Sequence, residues 1–240
     1  MRICVPERQT ALEALIMENP MNQRLPANPN LRIYTTPEYR GMPIQANTSQ
    51  PCLEEYLNKA YRTLERTKKE YKRIFAARID LRYPAEGARG RQNDNHVMER
   101  FKKALDARIQ ARSARRDSLG KTVHPCRVRM IWAREQSGSK TPHYHLVLLF
   151  NRDAYFRLGS YAPEADNLLT LIRQAWASAL SLPEGESLGL VHVPENAEYN
   201  LSAREDYRGE CDLFYRISYL CKARSKTFGN RHHCFGASTR

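Results

Sequence analysis

The sequence predicts an α+β fold, one antiparallel sheet with helices packed against it. Two segments, IFAARIDLRYP and HYHLVLLF, alternate side chains with the period of two that marks strands. Others, such as LLTLIRQAWASAL, carry apolar residues at helical spacing. Strand-like and helix-like segments also mix along the chain around a central hairpin, which suits an antiparallel sheet rather than regular strand–helix repeats.

Residues 1–19 can form a short helix. Residues 20–52 are rich in Pro and Asn and read as an extended arm or linker, so the chain divides into a partly flexible N-terminal extension, 1–52, and a domain, 53–240. Leu53, Tyr56, Leu57, Ala60, Tyr61, Leu64 and Tyr71 then fall on a helical stripe. In the strand that follows, Phe75, Ala77, Ile79, Leu81 and Tyr83 alternate with Ala76, Arg78, Asp80 and Arg82, and Pro84 ends it. A polar loop, AEGARGRQNDN, leads to a basic helix with Val97, Phe101, Leu105 and Ile109 in one i,i+4 row. CRVRMIWARE is a strand with Cys126, Val128, Met130 and Trp132 on one face, SGSKTP turns the chain, and HYHLVLLF returns. After the helix LLTLIRQAWASAL come a short strand, LGLVHV, and a last helix, CDLFYRISYLCKA. The βαββαβ core within this series is the ferredoxin-like or RRM-like order.

The chain has 240 residues, 39 Lys+Arg against 26 Asp+Glu and a formal charge of +13. The charge is uneven. Residues 59–116 carry 18 basic and 7 acidic residues, and residues 216–240 carry 6 basic and none acidic. Two basic blocks on a near-neutral body point to a polyanion, with nucleic acid the default. The composition excludes collagen, a disordered tail and a disulfide mini-scaffold. No apolar run would span a bilayer and the first residues lack a signal-peptide core. Six irregularly spaced cysteines read as reduced thiols, so a cytoplasmic location without a membrane partner is expected.

Period-two alternation puts His143 and His145 on one strand face, where two imidazoles can meet one metal ion. If the hairpin turn centres near Ser139, Glu135 lies opposite His143; a shifted turn brings it opposite His145, on the same face. A carboxylate and two imidazoles with open positions suit a catalytic divalent metal, whereas a structural zinc would want four ligands. Asp80, on the polar face of the preceding strand, is a weaker candidate for the same shell or a salt-bridge partner for Arg78 or Arg82. Wound as one helix, CDLFYRISYLCKARSK places Tyr215, Tyr219, Lys222 and Lys226 within an arc of about 60°, opposite Leu213, Ile217, Leu220 and Cys221. A phenol is a poor nucleophile unless a cation or metal stabilises the phenolate, and a lysine one turn away suits that task.

Together these features resemble the HUH endonuclease superfamily of rolling-circle initiators and relaxases. The His–hydrophobic–His motif is PHYHLVLLF, and Glu135 stands eight residues before His143, where many initiators carry a carboxylate. YRISYLCK is similar to the Tyr-x-x-x-Tyr-x-x-Lys of two-tyrosine phage initiators, with Cys221 an unusual residue before the lysine. IDLRYP and YLCKARSKTFGNRHHCFGASTR look more narrowly like the inovirus-type replication proteins and the YagK/YfjJ C-terminal domain family, over roughly Leu53 to Arg240. The resemblance implies an HUH core, Mg²⁺ or Mn²⁺ on Glu135, His143 and His145, and a tyrosine that attacks DNA to form a 5′-phosphotyrosine and a free 3′-OH. It favours Tyr219 as nucleophile, followed three residues later by Lys222, with Tyr215 second. Lys226, Arg224, Arg78 and Arg82 are the expected DNA contacts. The implied partners are single-stranded or supercoiled origin DNA with a host helicase and polymerase, since the chain lacks a Walker A motif.

A non-catalytic DNA-binding protein or decayed initiator fits the charge equally but leaves the histidines and tyrosines without a role. An RRM would want exposed aromatics in an RNP1-like run, which HYHLVLLF lacks. His232, His233 and Cys234 with Cys221 match no zinc spacing.

Overall fold

A computed structural model describes residues 23–84, 94–136, 141–162, 165–202, 206–224 and 226–239; the helix expected over 1–19 lies outside them. The chain enters through five short strands: β1 (Arg24–Leu25), β2 (Asn28–Tyr34), β3 (Glu38–Tyr39), β4 (Met42–Pro43) and β5 (Cys52–Leu53). β1, β2 and β5 make one small sheet, and β3 and β4 pair separately. Helix α1 (Glu54–Glu70) follows, with Glu54 and Glu55 in its first turn and Lys68 and Lys69 in its last, each favoured by the helix dipole.

The expected boundary between residues 52 and 53 is not a boundary in the fold. Leu25, Leu31, Ile33, Tyr39, Met42, Ile44 and Ala46 share one core with Tyr56, Leu57, Ala60 and Leu64 of α1. The Pro- and Asn-rich texture marks the turns between very short strands rather than a free arm.

The main sheet is antiparallel throughout. It is built from β6 (Arg73–Arg82), β7 (Arg129–Glu135), β8 (His143–Asn151), β9 (Val191–His192), β10 (Glu198–Ser202) and β11 (Phe235–Ala237), in the order β10–β6–β8–β7–β11 with β9 also on β6. The strands β9–β6–β8–β7, with helices α2 (Val97–Ser118) and α3 (Leu168–Leu180), form the expected βαββαβ unit. Phe75, Ala77, Ile79 and Leu81 of β6 and Tyr144, Leu146, Leu148 and Phe150 of β8 pack with α2 and α3, while Ile74, Ala76, Val147 and Leu149 face α1 and α4 (Tyr207–Ser218). β10 and β11 were not expected from the sequence. β11 adds an edge beside β7, where Phe235 stacks on Tyr56 with ring centroids 4.3 Å apart. Gly236 lies opposite Trp132, and a Cβ there would come within 2.5 Å of the indole ring.

The last helix is shorter than its periodicity suggests. Asp206 caps α4, accepting from the Gly209 amide at 2.9 Å. The helix closes at Ser218, Tyr219–Cys221 make a 3₁₀ turn, and Lys222 is extended (ψ 140°) and bridges to Cys52. Lys222 and Lys226 therefore do not continue a helical stripe with the two tyrosines.

Candidate functional site

Strand pairing assembles the site. Glu135 of β7 lies opposite His143 of β8, a register whose midpoint is residue 139, and Asp80 of β6 lies opposite His145. One ligand atom from each of Glu135, His143 and His145 lies within 4.8 Å of the others. Nε2 of His145 is 3.2 Å from Oε2 of Glu135 and 3.2 Å from Nε2 of His143.

Asp80 sits behind this trio. Its Oδ1 is 2.7 Å from Nδ1 of His145 and also pairs with Arg78, whose Nη2 lies 2.7 Å from the same ring nitrogen. Nε2 of His145 faces Glu135 and His143 and is the nitrogen placed to ligate, while Nδ1 lies toward Asp80 and Arg78. Burial disfavours a charged carboxyl at Asp80, but the His145 hydrogen bond and the Arg78 charge outweigh it and hold the group well below the usual carboxylate range. Burial likewise opposes protonation of His145, yet hydrogen bonds to Asp80 and Glu135 raise its pKa; burial and the neighbouring His145 lower that of His143. Two imidazole nitrogens and a carboxylate oxygen, backed by a carboxylate on the second histidine, fit a divalent cation of mixed N/O preference.

Of the two tyrosines, Tyr219 stands at this centre. Its ring centroid is 5.7 Å from that of His145, while Tyr215 lies a turn earlier and 48% exposed. Burial, then the charge of Glu135, raises the Tyr219 phenol above its ordinary value. The Lys222 ammonium lies over the Tyr219 ring, 4.7 Å from its centroid, and donates to Oε1 of Gln50 at 2.9 Å.

Two expected DNA contacts are instead internal. Nζ of Lys226 bonds Oε1 of Glu135 at 2.8 Å, with its side chain fully buried, and Arg78 is buried against Asp80. Each has a carboxylate to neutralise inside the protein and is withdrawn from solvent. Arg82 and Arg224 are exposed.

The N-terminal segment also clamps the tyrosine segment. The Gln45 amide bonds Oγ of Ser218 at 2.9 Å, Nε2 of Gln45 donates to the Tyr215 carbonyl at 3.0 Å, and the Ala223 amide donates to the Pro51 carbonyl at 2.9 Å. No local signal in the Pro/Asn-rich stretch marks these residues. Cys52, Cys126, Cys211, Cys221 and Cys234 are unpaired thiols, and burial pushes Cys52 and Cys126 up to about 12, so neither is a ready nucleophile. Among the described residues no helix is long and apolar enough to cross a membrane.

A family model described as the YagK/YfjJ C-terminal domain matches residues 35–238. The uncharacterized protein YagK of Escherichia coli K12 is 37% identical over 198 residues, covering 77% of this chain and 92% of YagK. The uncharacterized protein YfjJ of the same strain is 36% identical over 154 residues, 60% of this chain and 72% of YfjJ. No solved structure matches.

Proposed function

The chain belongs to the YagK/YfjJ C-terminal domain family, and from that premise we propose that it is a metal-dependent, site-specific single-strand DNA endonuclease and ligase of the HUH kind, acting as the rolling-circle replication initiator of a phage, prophage or related element. One observation carries the reading: Glu135, His143 and His145 converge within 4.8 Å, and the Tyr219 ring stands 5.7 Å from His145.

Glu135, His143 and His145 would hold Mg²⁺ or Mn²⁺, which when bound supplies positive charge to polarise the scissile phosphate. Asp80 holds the His145 ring from behind, and Lys226 holds the other oxygen of Glu135. Oη of Tyr219 attacks phosphorus in line; the phosphorus–O3′ bond breaks as the phosphorus–Oη bond forms. The phenol gives up its proton and the departing O3′ takes one, leaving a 5′-phosphotyrosine and a 3′-OH that a host polymerase extends. Lys222 over the ring favours the electron-rich phenolate. Tyr215, one turn earlier on the same segment, is the tyrosine proposed for a second cleavage. With no P-loop motif in the chain, strand opening falls to supercoiling or a host helicase.

A denaturing gel tests this. Labelled single-stranded oligonucleotides from the element's own origin are incubated with protein and Mn²⁺, beside EDTA, His143→Ala/His145→Ala, Tyr219→Phe and Tyr215→Phe controls. A metal-dependent adduct that survives denaturant and disappears with Tyr219→Phe is expected. A second reading, a DNA-binding protein that does not cleave, draws on the Lys226 ammonium already bound to Glu135; DNA binding without cleavage or adduct would establish it.

A further inference from the structure

We propose that a cleft at the far end of the sheet from the metal ligands is a second DNA subsite, one that binds single-stranded DNA by base stacking and phosphate contacts. Helix α2 suggests it first. Its buried residues end at Ile109, yet it continues to Ser118, about 13 Å further, with no buried side chain among residues 110–118. Helical stability comes mainly from a packed face, and this extension has none. It carries Arg112, Arg115 and Arg116, with Lys121 just beyond; Arg115, Arg116 and Lys121 are exposed, and Asp117 is the one acidic residue among 107–127.

The extension forms one wall of a cleft of about 360 Å³, and the segment after β8 forms the other, bringing Phe156 and Arg157 to face Arg112, Arg116 and His124. The Phe156 ring is 56% exposed, and the Arg157 guanidinium covers it at 4.9 Å. Both walls are fixed. Arg112 grips Asp166 through its carbonyl and carboxylate, each at 2.8 Å. Asn167 caps α3 and donates to the Ser160 carbonyl at 2.8 Å, packed so closely on Gly159 (φ +99°) that a Cβ there would lie 2.6 Å away. The other nearby carboxylate, Asp153, is held by Arg73 at 2.6 Å. What remains is an exposed ring beside several cations, the combination that holds a sugar–phosphate strand with unpaired bases. A duplex has no free base face for Phe156, so the single strand is the occupant. β8 separates the cleft from His143 by roughly 26 Å, about eight stacked nucleotides at about 3.4 Å each.

The inference rests on the proposed DNA substrate, so the test is read independently of cleavage. Fluorescence anisotropy with a labelled 30-mer of thymidine, in EDTA across a salt series, compares the native chain with Phe156→Ala and with Arg116→Ser/Arg157→Ser, the two cations of the cleft wall not held by a carboxylate among the described residues. Phe156→Ala is expected to weaken binding about five- to 150-fold with the salt slope unchanged. The double variant is expected to lower the slope by about 1.4, at about 0.7 per phosphate lost for a single strand. Nicking of a six-nucleotide substrate, too short to span both places, should stay at the native rate in both variants. Native-like 30-mer affinity and slope in both would overturn the subsite, as would a loss seen only with duplex of the same length. If the native chain fails to nick while the 30-mer effects remain, the proposed function falls and the subsite stands.

Discussion

On the side of the main sheet that meets α2 and α3, β6 presents Phe75, Ala77, Ile79 and Leu81, and β8 presents Tyr144, Leu146, Leu148 and Phe150. On the other side β6 runs Ile74, Ala76 and then Arg78, Asp80, Arg82, while β8 runs Leu149, Val147 and then His145, His143. Antiparallel pairing lays the two polar halves side by side. The first face is uniform and supplies apolar burial alone. The second changes chemistry halfway along, and the groups proposed to do the chemistry lie only beyond that change. Burying such groups is unfavourable unless they are matched, and here Asp80 is matched to Arg78 and His145, and Glu135 to Lys226. Stability and the proposed reactivity are thereby divided between parities of the same two strands.

The largest effect should come from the polar side. Tyr219→Phe is expected to cut nicking by about 10⁴-fold or more, over 5 kcal/mol in barrier, while its unfolding free energy stays within about 1 kcal/mol of native; oligonucleotide cleavage and urea melts give the two numbers. Trp176→Ala, on the uniform face and fully buried, should do the reverse. A loss of about 3–5 kcal/mol in urea unfolding is expected, with Mn²⁺ affinity of the folded protein unchanged; a weakened affinity would break the division. Asp80→Asn should cross it. A tenfold to hundredfold loss in Mn²⁺ affinity by calorimetry is expected, because the carboxylate orienting His145 is gone. In EDTA the same variant has a pH signature. The Asp80 pKa is depressed on folding, so its contribution is complete above the unfolded value near 3.9 and is lost as pH falls through the folded value; Asp80→Asn should flatten that acid limb in pH-resolved urea melts. Gln50→Ala should act least, slowing nicking less than about tenfold by releasing the Lys222 ammonium from its place over the Tyr219 ring, with KM for the oligonucleotide unchanged.

Strand parity was legible because it needs only a period of two, and the Glu135–His143 register because eight residues of hairpin leave few alternatives. The row Val97, Phe101, Leu105, Ile109 named the buried face of α2 for the same local reason. What sequence could not show depends on partners distant in the chain. Periodicity alone continues the tyrosine helix through Lys222, but a backbone bridge from Cys52 draws that residue out of the helix. Lys226 looks like a surface cation until Glu135 is in place, whereas the pairing of Asp80 with Arg78 is one of the alternatives that the sequence of β6 offers. β10 and β11 have little pattern of their own and form as additions to the edges of an existing sheet. The N-terminal strands are punctuated by the residues that ordinarily signal loops, and their apolar side chains share a core with distant elements, α1 and α4 among them.

The strap of residues 45–52 over the tyrosine segment has a consequence in time. Glu135 and His143 meet across a hairpin, a contact that closes a short loop, whereas Gln45 and Ser218 meet across 173 residues. Short loops close at smaller entropic cost and sooner. The ligand pair is therefore expected to come together first and the tyrosine last, once both distant segments have arrived. Pulsed hydrogen exchange during refolding would show this as β7–β8 amides protected ahead of that of Ala223; the opposite order would sink it. A chain interrupted in that interval would hold the proposed metal ligands together without the tyrosine proposed to cut, and would leave any strand it meets intact.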